Sequence, residues 1–69
     1  MIKVGQIYKE KTGCKWCITK VGALVSAICD DGTVCFGKLW DNYFQLTVEL
    51  IAEYPTWQEA VNSKEFKGE

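Results

Sequence analysis

Residues 15–37 read KWCITKVGALVSAICDDGTVCFG, and this stretch decides the fold class. Short runs of Val, Ile, Phe and Trp are broken at Gly22 and at Asp30-Asp31-Gly32, the spacing of β-strands joined by tight turns rather than of a helix. Within it Trp16 and Ile18 alternate with Lys15, Cys17 and Thr19, and Val34 and Phe36 alternate with Thr33 and Cys35. Successive strand side chains point to opposite faces, so Trp16, Ile18, Val34 and Phe36, joined by Ile28, are the expected inward set. Strands are predicted over about 15–21, 23–30 and 33–39.

Working outward, the same texture predicts strands over about 5–9 and 46–52, with Lys11-Thr12-Gly13 as a further turn. The period then changes from two to about 3.6. Thr56-Trp57-Gln58-Glu59, after Pro55, has the form of a capping box, and Trp57, Ala60, Val61 and the Lys64 stem share one helical face. Phe66 falls on the opposite side of a continuous helix, which predicts a break near Asn62-Ser63 and a second turn that returns Phe66 to the body. The expected architecture is a mainly β domain: a small five-stranded SH3-like or Tudor-like barrel over about 1–54, with a short C-terminal helix over about 56–66 packed on it. A five-stranded OB-like barrel is the alternative.

Sixty-nine residues allow one core, burying roughly 60% of the unfolded surface, and so a single domain. Eight lysines face nine acids, with no arginine and no histidine, so both the usual acid/base near neutral pH and the bidentate phosphate reader are missing. No nucleophile elbow, zinc-protease, P-loop or dinucleotide motif occurs, so the expectation is a protein that is not an enzyme and needs no cofactor. No run of about 18 apolar residues and no signal-type N-terminus is present, giving a cytoplasmic expectation with no membrane partner. Residues 1–38 carry six lysines against three acids, a net of +3, and residues 39–69 carry two lysines against six acids, a net of −4.

Cys14-Lys15-Trp16-Cys17 invites a redox or zinc reading. A redox pair belongs at a helix N-terminus, whereas this one begins a strand. A zinc site from Cys14, Cys17, Cys29 and Cys35 depends on hairpin register. A two-residue Asp31-Gly32 turn sends Cys29 and Cys35 to opposite faces, and a three-residue loop ending in a glycine bulge returns them to one. The preferred reading is that the cysteines are small packing residues, with no metal. Asp30 and Asp31 read as turn chemistry rather than a carboxylate site with Asp41.

Nine aromatic residues are present, and some must be core, because so small a domain needs large apolar groups for stability. Trp40, Tyr43 and Phe44 surround Asp41-Asn42 in a connecting segment, where recognition residues tend to sit, and with Tyr54 they are the expected protein-binding anchors. The alternative reading of that segment is a plug that buries Trp40 and Phe44. A nucleic-acid surface would draw on Lys3, Lys9, Lys11, Lys15 and Lys20 with Tyr8 or Trp16 as stacking rings, against the handicap of a net charge of −1.

The Val-Gly-Gln-Ile-Tyr start, the central Asp-Gly-Thr hairpin and the ending from Leu50 to Phe66, LIAEYPTWQEAVNSKEF, resemble small phage and prophage proteins of Gram-positive bacteria. The resemblance implies a phage setting, hence a host-cell cytoplasm, and assigns no activity and no functional residue. The expectation drawn from all of this is a non-enzymatic accessory protein that binds a host or phage protein through its loops, as an inhibitor or modulator. The alternatives are a nucleic-acid-binding barrel and a zinc-stabilised binding module.

Overall fold

The computed structural model describes residues 2–37 and 48–67, with residues 35–37 given by their backbone. Strands β1 (Gln6–Glu10), β2 (Lys15–Lys20), β3 (Val25–Cys29), β4 (Val34–Gly37) and β5 (Val48–Glu53) form one antiparallel sheet in the order β4-β3-β2-β1-β5. Two short helices follow, α1 (Trp57–Val61) and α2 (Lys64–Lys67). The mainly β reading with helical structure at the C-terminus therefore holds.

The closed barrel does not. The sheet is open, with β4 and β5 at its two edges, and among the described residues no ladder joins them. A closed barrel buries one face of its sheet and fills the interior. Here both faces are apolar, and the helices cover one of them.

The β3–β4 connection sets the register. Cys29 N–H donates to Thr33 C=O at 2.7 Å and Gly32 N–H to Cys29 C=O at 3.0 Å, while Gly32 has φ +94°. This is the three-residue loop Asp30-Asp31-Gly32 with its glycine in the left-handed region. One residue more than a two-residue turn shifts the pairing, so Ile28 faces Val34 and Ala27 faces Cys35.

Trp16, Ile18, Ala27 and Cys29 are buried together on one face, with Ile2, Tyr8, Val25 and Val48 packed around them. Ile7 and Cys17 are buried on the other face with Ala60 and Phe66 from the helices, and Ile28, Ala52, Tyr54, Trp57 and Val61 complete that cluster. The single inward set is thus corrected. Trp16 and Ile18 share a face, Ile28 lies on the opposite one, and Val34, next to Ile28 at the sheet edge, is 58% exposed. The Phe36 side chain lies outside the described residues.

Thr56 caps α1, its Oγ1 accepting from Glu59 N–H at 3.2 Å, and α1 ends at Asn62. Ser63 then opens α2, its hydroxyl oxygen accepting from Phe66 N–H at 3.3 Å. The break returns Phe66 to the sheet, where it is 7% exposed. Trp57, Ala60 and Val61 pack as the helical period predicts, whereas Lys64 stays exposed. Two further links tie helix to sheet: Tyr54 OH donates to the Glu65 carboxylate, and the Cys17 thiol to the Trp57 carbonyl at 3.8 Å.

Candidate protein-binding surface

Large apolar side chains are exposed at Val34 on edge strand β4, at Leu50 and Ile51 on edge strand β5, and at Val21 and Leu24 in the β2–β3 connection, Val21-Gly22-Ala23-Leu24, which is the one of these sites that is a turn between interior strands. A tight turn favours Gly, Asn, Asp or Ser, yet this one displays Val21 at 45% and Leu24 at 56% exposure. Leu24 lines an open pocket of about 300 Å³ together with Lys20, Gly22, Ala23 and Ser26. Lys20 is the only charged residue among these. β2 pairs Ile18 with Ala27 and then Lys20 with Ser26, so Thr19 is the extra residue of a bulge just before the pocket. Bulges bend a strand, re-aim the side chains beside them and are frequent at binding sites. β2 and β3 are interior strands, so the turn projects from the middle of the sheet on a paired base.

Among the expected protein-binding anchors, Trp40, Tyr43 and Phe44 lie outside the described residues. Tyr54 is half-buried against the helical cluster with its hydroxyl on Glu65, which makes it a link between sheet and helix rather than a free contact residue.

The five lysines of the nucleic-acid reading do not form one stripe. Lys9 and Lys15 stand directly opposite each other, next to the Lys11-Thr12-Gly13 turn, and Glu49 faces Lys9 from the other side. Lys20 and Lys3 belong to the opposite end of the sheet, where Gly5 N–H donates to Ile18 C=O at 2.9 Å. The proposed stacking rings are also engaged. Trp16 is 7% exposed and its indole N–H donates to Glu10. Tyr8 is half-buried and its hydroxyl donates to Gln6 Oε1 at 2.8 Å. Burial, and then the nearby Glu53 charge, push the Tyr8 hydroxyl above its ordinary pKa.

The cysteines are distributed rather than gathered. Cys14 is exposed, Cys17 is buried on the helical face and Cys29 on the opposite face. Two thiols buried on opposite sides of a sheet cannot bind one tetrahedral metal, so the four-cysteine set fails although the three-residue loop is the favourable one. The Cys35 side chain lies outside the described residues. Burial pushes Cys17 up to about 11. Burial also leads the causes that push Cys29 up to about 11, with hydrogen bonding to Asp30 and the charge of Asp31 adding to it. Both are held as thiols, the reverse of what a redox or nucleophilic cysteine needs.

Hydrogen bonds from the Thr33 hydroxyl first and from the Thr33 N–H second, the latter 2.8 Å from Oδ1, hold the Asp31 carboxyl below the usual range, and Asp30 accepts from the Cys29 thiol at 3.3 Å. Both serve the turn; Asp41 lies outside the described residues.

One internal feature escaped the sequence reading. Gln6 is buried, and its Oε1 accepts from both Lys3 N–H and Tyr8 OH while its Nε2 donates to Glu53. It anchors the N-terminal segment to β1 and β5, and no local pattern marks such a residue.

No family model matches the chain, and no curated protein or solved structure matches it either. Among the described residues no helix is long and apolar enough to cross a membrane.

Proposed function

We propose that this chain is a non-enzymatic protein-binding module, and that it is a phage-type accessory protein acting on a host or phage protein as inhibitor or modulator. The observation that carries the binding reading is the exposure of Val21 and Leu24 on one turn, with Leu24 lining an open pocket. Exposed aliphatic groups beside a concavity are what a partner covers, and removing their apolar surface from water favours the complex. A binder of this kind needs a rigid platform and no titratable centre. The paired interior strands supply the platform, and the buried thiols stay protonated. The phage setting is carried by the ending from Leu50 to Phe66.

The test is affinity capture from a bacterial lysate with tagged wild-type protein and the Leu24→Asp variant, read by mass spectrometry. A protein enriched by wild type and lost with Leu24→Asp supports the reading. Equal enrichment by both moves the contact away from this turn.

A further inference from the structure

We infer that the β2–β3 turn receives an acidic, aliphatic peptide segment of the partner protein, one in which Leu, Ile or Val stands beside Asp or Glu. The inference rests on the protein-binding reading and names the chemistry of what is bound.

Two properties of the site lead to it. The apolar part is exposed: Val21 and Leu24 on the turn, with Leu24, Ala23 and Gly22 lining the open pocket of about 300 Å³, offer a place for aliphatic side chains. The polar part has one sign. Among the described residues Lys20 is the only charged group lining the pocket, and Ser26 lies across the ladder from it. The Gly5–Ile18 hydrogen bond brings the segment that carries exposed Lys3 to the same end of the sheet. Glu53, at that end of β5, is the acceptor for buried Gln6. Complementary charge on a partner is favoured and like charge opposed, while the aliphatic contact supplies the affinity.

The turn presents side chains and not an unpaired strand edge, because β2 and β3 are each bonded on both sides. Recognition is therefore by side-chain contact and charge, and not by strand addition.

The experiment titrates ¹⁵N-labelled protein with three acetylated, amidated peptides: Ser-Glu-Leu-Ile-Glu-Ser, and its counterparts with Gln or with Lys in place of Glu. The expected result is amide shifts confined to residues 20–26. The acidic peptide should bind about fivefold tighter than the Gln peptide, as exposed charge pairs allow, and the Lys peptide weakest. Lys20→Glu should reverse that order, and Leu24→Ser should abolish the shifts while the remaining spectrum stays native. Shifts located elsewhere, or equal binding of all three peptides, overturn the inference. If the peptides bind alike while lysate capture still depends on Leu24, only the partner chemistry fails; if capture is also indifferent to Leu24, the protein-binding reading falls with it. Sedimentation of the protein alone supplies the last arm. A mass that rises with concentration in wild type but not in Leu24→Ser would give the turn to a second copy of this chain and overturn a foreign segment as its occupant.

Discussion

Replacing Gly5 by alanine should destabilise the protein far more than the loss of one glycine suggests. Gly5 has φ +92°, and a β-carbon built there would lie 2.1 Å from the Tyr54 carbonyl oxygen and 3.1 Å from its carbon. That contact involves backbone, so no side-chain rotation relieves it. The same residue accepts from Tyr54 N–H at 3.0 Å and donates to Ile18 C=O at 2.9 Å, holding the start of β1 between β2 and the end of β5. The positive φ costs an L-residue about 1–2 kcal/mol. Moving the two backbone segments apart weakens these backbone bonds at about 1 kcal/mol each, for a total of about 3–4 kcal/mol. A domain this small has stability near the lower end of the usual range of about 5–15 kcal/mol, so the variant should be close to unfolding, its melting temperature lower by roughly 12–32 °C. Gly13→Ala is the control, since Gly13 has φ +98° but nothing within 4 Å of a β-carbon. It bears the conformational strain alone, and the reduced freedom of the unfolded chain is common to both variants. Urea melts of wild type and both variants give the difference directly. If Gly5→Ala and Gly13→Ala agree within about 0.5 kcal/mol, the close approach of Tyr54 to Gly5 is wrong.

Native-state alkylation followed by peptide mapping should modify Cys14 first and leave Cys17 and Cys29 nearly untouched; equal rates would contradict the burial of the latter two. At pH 8 a thiol held at about 11 is ionised in roughly one molecule in a thousand. The same shifts predict a pH dependence. Both folded-state values lie above the ordinary 9.0, so the unfolded chain loses these protons first as pH rises, and stability should fall from about pH 9 to about pH 11. The loss should be carried chiefly by Cys17, and Cys17→Ala should reduce it; a flat profile over that range would contradict the buried neutral thiols. In the C-terminal region, Phe66→Ala should cost about 3 kcal/mol by emptying the helical side of the core, whereas Thr56→Ala should cost about 1 kcal/mol through loss of the cap; urea melts that reverse this order would contradict the packing of α2 on the sheet.

Much of the scaffold was legible because its signals are local. The alternation through Lys15–Lys20, the Asp-Asp-Gly turn and the Thr56 cap each depend on neighbours in sequence, and each appears in the structure where its residues predict it. The position of Phe66 was legible for the same reason, since a five-residue helix followed by Ser63 leaves it only one way to reach the core. What could not be read was the pairing between distant elements. A single buried face puts Val34 and Ile28 with Trp16, but the helices supply a second core, the β2–β3 ladder places Ile28 beside Cys17, and the three-residue β3–β4 loop sets Val34 opposite Ile28. The same shortage of long-range information hid Gln6, whose three partners reach from residue 3 to residue 53. The binding surface was the least legible part. Loop aromatics attracted attention, whereas Val21 and Leu24 read as ordinary strand residues until the ladder ended at Lys20 and resumed at Val25.

The central claim is that the β2–β3 turn binds a protein. The most direct measurement is capture from nuclease-treated lysate with wild type and a Val21→Asp/Leu24→Asp double variant whose unchanged urea melt confirms its fold. The account predicts a discrete protein enriched by wild type, retained through nuclease treatment and absent from the double variant. Enrichment that disappears with nuclease, or that the double variant retains in full, would contradict it.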